Sequence, residues 1–201
     1  MNGKPDWNTR YARGDTPWDC GVASHELCRV VTEQPIRPCR TLEMGCGTGN
    51  DAVHLARLGF AVTAFDVAPL AIQRAQAKAA AAGVTVRWLT ADLRRMPDLG
   101  PPFDFVFDSG FYHCVRRELL GELLTLLERA TRPGSLWLTL AGNANDPQPQ
   151  DRGPPRLRAA ELCGELEPLF AVVQLRETYF DAAKTEGKLR PLAWSALLRR
   201  R

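Results

Sequence analysis

Short apolar runs rich in β-branched residues alternate along the chain with segments in which apolar residues recur at helical spacing. This alternation is typical of a parallel sheet that is covered by helices on both faces. The predicted strands, in chain order, are Thr41–Met44, Ala61–Phe65, Val84–Leu89, Phe103–Phe107, Ser135–Leu140, Ala171–Thr178 and Leu192–Leu198. The pattern therefore predicts an α/β fold with seven strands.

The end residues of the helices support the same pattern. Pro69 stands where a helix should begin and Gly83 where it should end, with Ile72, Ala75 and Ala79 at helical spacing between them. Further helices are predicted over Ala52–Leu58, Arg116–Ala130 and Gly21–Thr32.

Two polar segments are predicted as loops. Asn143–Pro155 carries several prolines and follows a strand whose C-terminal end should face a ligand, so it is either a surface connection or a loop over the substrate. Lys184–Lys188 predicts the turn of a hairpin between the last two strands.

Composition narrows the class of protein. Of the 201 residues, 45% are hydrophobic and 24% are charged, which is ordinary for one globular domain. The chain shows no long apolar run and no signal-peptide core, so a soluble cytoplasmic protein without a membrane partner is expected. A net charge of +3 without a basic stripe predicts no nucleic-acid partner. The six cysteines lack CxxC spacing, which favours reduced thiols and no metal site.

A glycine-rich segment carries the strongest chemical signal. The strand Thr41–Met44 runs directly into Gly45, Gly47 and Gly49, and a helix follows. Glycines at such a turn let the backbone bend sharply and approach a ligand closely. Dinucleotide-binding folds use GxGxxG, whereas here the third glycine comes one residue earlier and the acidic Glu43 lies at the end of the strand.

Acidic residues also end the next strands. Asp66 ends the second strand, and Asp92 follows the third. A carboxylate at the end of the second strand can accept hydrogen bonds from both ribose hydroxyls of an adenosine, although a helix-capping aspartate is the alternative. Acidic strand ends in this order favour an adenosine-containing ligand.

These features resemble the motifs of class I S-adenosylmethionine-dependent methyltransferases. The resemblance implies S-adenosylmethionine as cofactor and S-adenosylhomocysteine as product. It implies a Rossmann-like sheet of seven mostly parallel strands in the order 3-2-1-4-5-7-6, with strand 7 antiparallel and helices on both faces. The implied cofactor-binding residues are Trp7, Tyr11, Trp18, Glu43, Gly45, Cys46, Gly47, Asp66, Val67, Asp92, Leu93 and Asp108.

The N-terminal segment WNTRYARGDTPWDCG has its own resemblance. It is similar to the segment that closes over the cofactor in the thiopurine, thiol or halide, and tellurite-resistance methyltransferase group. One methyltransferase domain over residues 1–201 is thus expected, with a cover over residues 1–38 and a core over 39–201. Packing of the aromatic residues on the core is the alternative. Thiopurine methyltransferases place Glu where Asp66 stands and Arg where Ser109 stands, so thiopurine is not the expected substrate.

The residues after the fourth strand are the catalytic candidates. In FDFVFDSGFYHCV, Asp108, Tyr112 and His113 come where acceptor and cofactor should meet, although packing at a helix start is the alternative. The run DSGFYHCV resembles a bacterial branch of the same group that methylates small thiols and heterocycles.

The expected activity is methyl transfer by a monomer to a small molecule, either a thiol or a heteroaromatic S, N or O acceptor. Two alternatives compete with it. A non-catalytic module would bind the cofactor without turnover, and a nicotinamide-dependent oxidoreductase should show GxGxxG and additional chain for its substrate.

Overall fold

The computed structural model describes residues 6–34, 36–149, 155–181 and 190–201, which form one mixed sheet with helices packed around it. The strands are β1 (Arg40–Met44), β2 (Ala61–Asp66), β3 (Arg87–Thr90), β4 (Phe103–Ser109), β5 (Thr131–Asn143), β6 (Arg156–Leu157), β7 (Phe170–Tyr179) and β8 (Leu192–Arg200). The helices are α1 (Trp7–Arg13), α2 (His25–Glu33), α3 (Asn50–Arg57), α4 (Pro69–Ala82), α5 (Phe111–Ala130) and α6 (Ala159–Leu166).

The sheet has the order β3-β2-β1-β4-β5-β8-β7, and the short β6 pairs with β5 outside this path. β8 runs antiparallel to both of its neighbours, whereas β1 to β5 are parallel. The predicted fold class and strand order are confirmed, with β8 as the predicted antiparallel seventh strand. The two-residue β6 is additional to the predicted strands.

Both faces of the sheet are buried. Phe105 and Phe107 of β4 join one apolar cluster with Leu55 of α3, and Val106, which lies between them, joins another with Leu123 of α5. Successive residues of a strand point to opposite faces, so the three consecutive residues Phe105–Phe107 are all apolar.

Some element ends differ from the prediction for local reasons. α5 begins at Phe111 rather than Arg116, because the Asp108 carboxylate accepts the backbone N–H groups of Phe111 and Tyr112. β3 begins at Arg87 rather than Val84, since the N–H of Val84 donates to Ala79 and completes the end of α4.

The start of the first predicted helix also moves. α2 begins at His25, where the hydroxyl of Ser24 caps its first turn, and not at Gly21. α1 and α6 lie outside the predicted helices. The predicted turn at Lys184–Lys188 falls outside the described residues, as do residues 150–154 of the predicted loop.

The N-terminal segment packs on the core through α1 and α4. Tyr11 contacts Ala68 and Ala71, and the guanidinium of Arg74 donates to the carbonyl oxygen of Tyr11 at 3.0 Å. This packing holds α1 beside the glycine-rich segment. The division into a cover over residues 1–38 and a core stays a prediction.

Candidate active site

The acidic strand ends meet at one edge of the sheet. In the parallel register, Glu43 of β1 lies beside Ala64 of β2 and Phe107 of β4. Asp66 and Asp108 therefore follow at the same edge, where the carboxyl ends of parallel strands open onto a ligand crevice.

The glycine-rich loop at residues 45–49 connects β1 to α3. Gly45, Gly47 and Gly49 all have positive φ, between 53° and 77°. A Cβ atom on Gly45 would come within 2.7 Å of the Phe111 ring, and one on Gly47 within 2.8 Å of the Tyr11 hydroxyl. Backbone conformation and space both restrict these positions to glycine.

Glu43 has an unusual environment below this loop. Its side chain is buried, and among the described residues its Oε2 atom has no hydrogen-bond partner. Burial raises the pKa of this carboxyl well above its usual range, and the nearby charges of Asp51 and Asp66 raise it further. A buried oxygen without a partner is costly, so this position suits a ligand that brings a donor or a positive charge.

Asp66 links the loop to the start of α4. Its carboxylate accepts the N–H groups of Gly47 and Ala68, each at 2.9 Å. Burial raises its pKa, although the backbone hydrogen bonds oppose this shift. A carboxylate can accept about four hydrogen bonds, so acceptor capacity remains for hydroxyl groups of a ligand. The neighbouring Val67 is exposed.

Asp92 lies farther out, after β3. It accepts the N–H of Arg94 at 2.9 Å and pairs with the guanidinium of the same residue at 3.1 Å. Its side chain is half-exposed, whereas Leu93 is buried in the core. Asp92 is thus available to a ligand at the rim.

The aromatic residues of the N-terminal segment lie together over the loop. The indole N–H of Trp18 donates to the Tyr11 hydroxyl at 3.2 Å, and the Trp7 ring packs edge-on against Trp18 at 5.5 Å. Burial and the Asp66 charge raise the pKa of Tyr11, so its hydroxyl stays neutral. The structure brings these predicted residues to the same end of the sheet as Gly47.

The three catalytic candidates have separate partners. Besides capping α5, Asp108 accepts the indole N–H of Trp137 at 2.9 Å. The Tyr112 hydroxyl donates to Glu165 at 2.6 Å and points toward α6. The sequence placed both residues where acceptor and cofactor meet, but their side chains bind structural partners.

His113 is held in a similar way. Its Nδ1 atom accepts the N–H of Gly142 at 2.8 Å, which leaves the proton of the neutral ring on Nε2. Burial lowers its pKa to about 3. His113 is therefore neutral near pH 7 with one ring nitrogen occupied. The catalytic roles of all three candidates stay predictions.

Comparisons with known proteins agree with this geometry. A family model for a methyltransferase domain matches residues 41–134. The 2-heptyl-1-hydroxyquinolin-4(1H)-one methyltransferase of Mycobacteroides abscessus is 29% identical over 147 residues, which span 73% of this chain and 64% of that protein. Thiocyanate methyltransferase 1 of Brassica oleracea is 25% identical over 95% of this chain and 84% of that protein.

A solved structure gives the same result. It comes from work on the conversion of a disulfide bond into a thioacetal group during echinomycin biosynthesis, and it matches with a TM-score of 0.83 and 28% identity. The match covers 98% of this chain and 92% of that one. The chain is similar to class I S-adenosylmethionine-dependent methyltransferases, and it spans less than two thirds of the length of the first curated relatives that it matches.

The residues at the sheet edge fit the cofactor of this methyltransferase family. The unpartnered oxygen of Glu43 suits a cationic group, and the Gly45–Gly49 loop leaves the backbone open to close approach. Asp66 has remaining acceptor capacity for ribose hydroxyls, and the cofactor carries both cationic groups and hydroxyls.

A polar network ties the N-terminal segment to the core, and the sequence pattern did not indicate it. Asp19 accepts the hydroxyl of Thr48 and the amide of Asn50, both at 2.8 Å. The Lys78 ammonium donates to the same Thr48 and Asn50 side chains. Burial opposes the charge on Asp19, but these hydrogen bonds and Lys78 lower its pKa.

A small cavity of about 50 Å³ lies beside this network and was also missed. It is lined by Trp18, Cys20, Val22, Ser24, Asn50, Asp51, Ser109 and Asp181. The sequence feature that could have indicated it is Asp51, in the first turn of the helix after the glycine loop. An acidic residue there is equally consistent with a charge that stabilises the helix.

The described residues contain neither a metal-binding cluster nor a membrane-spanning helix. Within these ranges, no set of three or more His, Cys, Asp or Glu side chains is arranged to hold a metal ion. None of the described helices combines the length and apolar character that crossing a membrane requires.

Proposed function

We propose that this protein transfers a methyl group from S-adenosylmethionine to a small thiol or heteroaromatic S, N or O acceptor and releases S-adenosylhomocysteine. It does so as a cytoplasmic monomer without a nucleic-acid partner. The observation that carries the proposal is the unpartnered, buried Glu43 oxygen below a glycine loop at the carboxyl edge of the sheet. The relatives that act on a hydroxyquinolone and on thiocyanate support an acceptor of small size.

The position of each residue at the carboxyl edge of the sheet supports its proposed role in cofactor binding. Glu43 and the loop at residues 45–47, including Cys46, hold the amino-acid end of the cofactor, and Asp66 with Val67 faces the ribose. Asp92 and Leu93 flank the adenine. When bound, S-adenosylmethionine supplies a methyl group on a positively charged sulfur. The protein's contribution is orientation and exclusion of water, because an in-line displacement at such a carbon needs little covalent help.

The cover completes the site. Tyr11 and Trp18 lie over the loop through their shared hydrogen bond, and Trp7 packs against Trp18. These rings exclude water from the reacting atoms. The partners of Asp108 and His113 support a positioning role for the start of α5.

Binding and turnover test the proposal separately. Thermal unfolding is measured with S-adenosylmethionine, S-adenosylhomocysteine and a nicotinamide dinucleotide. A ligand present at 100 times its Kd stabilises the fold by about 2.7 kcal/mol, so only the first two should raise Tm by several degrees. Donor consumption is then followed with a panel of thiols and hydroxylated or N–H heterocycles. Binding without turnover on the whole panel would favour the non-catalytic module, and a response to the dinucleotide alone would favour the oxidoreductase.

A further inference from the structure

The cavity beside the cover joins the two parts of the site. Ser109, the exposed last residue of β4, lies on one side, and Trp18 of the N-terminal segment lies on another. Asp51 reaches the cavity from the first turn of α3, directly after the glycine loop. The cavity therefore borders both the cofactor loop and the strand end where an acceptor belongs.

Among the described residues, the Asp51 carboxylate is hydrogen-bonded through one of its two oxygen atoms. One of its oxygens, Oδ1, accepts the N–H of Ser24 at 2.6 Å, which links α3 to the cap of α2. A carboxylate with one such bond keeps acceptor capacity on its second oxygen. The second oxygen belongs to a residue that lines the cavity, so it is available to a small molecule there.

The charges around Asp51 come from several elements. Asp181 after β7 contributes a negative charge and Lys78 of α4 a positive one, and the buried carboxyl of Glu43 in β1 also lies within range. The thiols of Cys20, Cys28 and Cys46 also lie within its electrostatic range. Burial, with a smaller contribution from the charge of Asp181, raises the pKa of Asp51 to about 6, although the hydrogen bond from Ser24 and the charge of Lys78 lower it. Asp51 is thus mostly ionised at neutral pH and close to its titration range.

The same charges disfavour an anion in the cavity. Burial and the charges of Asp181, Asp19 and Asp51 together raise the pKa of the Cys20 thiol to about 11. A negative charge on this sulfur is therefore penalised by three carboxylates, and a bound anion would meet the same field. Trp18, which is 38% exposed, adds an aromatic surface to the cavity wall.

We infer that Asp51 is the proton acceptor of this methyltransferase and that the cavity, which at about 50 Å³ has room only for the hydroxyl or N–H edge of an acceptor, favours neutral heteroaromatic acceptors over inorganic anions. This inference rests on the proposed methyl transfer. As the acceptor's O or N forms its bond to the methyl carbon, the C–S bond breaks and its electron pair stays on sulfur. The acceptor's O–H or N–H bond also breaks, and its proton moves to the free oxygen of Asp51 and from there to water.

Asp51→Asn is the direct test. The amide oxygen can still accept from Ser24, but the side chain can no longer take up a proton. With 4-hydroxyquinoline, turnover should fall on the order of 10²-fold, whereas thiophenol, which ionises readily by itself, should lose much less. S-adenosylhomocysteine affinity, measured by calorimetry, should change less than about twofold. Asp104→Asn, at the opposite end of β4 and paired with Arg132, is the matched control and should keep full turnover.

The pH profile separates proton transfer from packing. With 4-hydroxyquinoline, which does not titrate near neutral pH, kcat/KM of the unaltered protein should rise with pH through about 6 and then level off. Asp51→Asn should lose this rise. Equal losses on both acceptors with an unchanged profile would overturn the inference.

Equilibrium binding gives a readout that does not depend on turnover. In the presence of S-adenosylhomocysteine, the unaltered protein should bind 4-hydroxyquinoline at least about tenfold more tightly than thiocyanate. Asp51→Asn should reduce this ratio of the affinities for 4-hydroxyquinoline and thiocyanate. If that variant does not fold, Asp181→Asn should reduce the same ratio. Preference for thiocyanate would overturn the inference and leave the proposed methyl transfer standing. Failure of the unaltered protein to bind S-adenosylmethionine would instead refute the proposed function itself.

Discussion

Asp66 is both a structural residue and a proposed ligand contact. Its carboxylate accepts two backbone N–H groups, so Asp66→Ala leaves Gly47 and Ala68 without partners and removes the charge that faces the ribose. We expect donor affinity to fall by about 1–3 kcal/mol and the free energy of unfolding to fall by a similar amount. Calorimetry and denaturant unfolding measure the two losses.

The control for this substitution is Asp98→Ala. Asp98 also accepts a backbone N–H, that of Gly100 at 3.0 Å, but it lies on an exposed loop. It should leave donor affinity unchanged. If a folded Asp66→Ala variant bound the donor as tightly as the unaltered protein, Asp66 would not belong to the site.

His113 predicts a pH dependence of stability. Burial lowers its pKa to about 3 in the folded protein, against an ordinary value of 6.5. Below pH 6.5 the unfolded chain takes up a proton that the folded protein cannot, so this stabilising contribution is complete above pH 6.5 and is lost as pH falls. The loss approaches about 1.4 kcal/mol per pH unit.

The measurement compares the unaltered protein with His113→Asn, whose amide oxygen can accept from Gly142. Denaturant unfolding gives the free energy of unfolding of both proteins at pH 7 and at pH 5. Lowering the pH should reduce this free energy more in the unaltered protein than in His113→Asn. Parallel stability profiles for the two proteins would show that His113 titrates normally in the folded state.

The sequence indicated where the acidic residues lie but not what each one binds. Glu43, Asp66 and Asp92 end parallel strands, and the periodicity of the strands fixes their position at one edge. The partners of Asp108 and His113 come from Trp137 and Gly142, which are distant in the chain. Only the assembled sheet brings such donors together, so no local pattern could reveal them.

Asp19 provides a polar link between the N-terminal segment and the core, beside the contacts of Asn8 and Tyr11 with α4. Asp19 joins the N-terminal segment to Thr48 and Asn50, and Lys78 of α4 completes the network. Asp19→Ala should loosen residues 7–20, raise their amide hydrogen exchange and weaken donor binding by about 1–2 kcal/mol, since the loss leaves partly buried donors unpaired.

Asp15→Ala is the matched control for this prediction. Asp15 belongs to the same segment and pairs with Arg10 at 2.9 Å, but its side chain is 62% exposed, so little stabilisation is lost with it. Exchange and affinity should stay as in the unaltered protein. Equal effects of the two substitutions would mean that general loosening of the segment, and not the Asp19 network, controls binding.

The strands were easier to predict than the short elements. β4 has four apolar residues, Phe103 and Phe105–Phe107, because both of its faces are buried, and such a run is visible in the sequence. α1 has seven residues and β6 has two, too few for a clear period. Tertiary contacts stabilise them instead, as when Asn8 accepts the N–H of Leu70 at 3.0 Å.

The edge strands of the sheet affect whether two copies of the protein associate. β7 is the edge strand on one side, with Arg176 and Glu177 exposed and a bulge between Val172 and Gln174. Charges and bulges at an edge hinder pairing with a second sheet. β3, at the other edge, has only four residues. We therefore expect a monomer of 22.3 kDa in sedimentation velocity across a wide range of concentrations.

Arg176→Val tests the reason for this expectation. The substitution would add a third exposed apolar side chain to β7, beside Val173 and Tyr179 in the same strand, and it removes a charge that opposes edge-to-edge pairing. The variant should show concentration-dependent association while donor affinity stays unchanged, because the edge lies far along the sheet from β1 and β2. An unaltered protein that sedimented as a dimer at every concentration would refute the predicted monomer, and a monomeric Arg176→Val would show that the charge on β7 is not what prevents pairing.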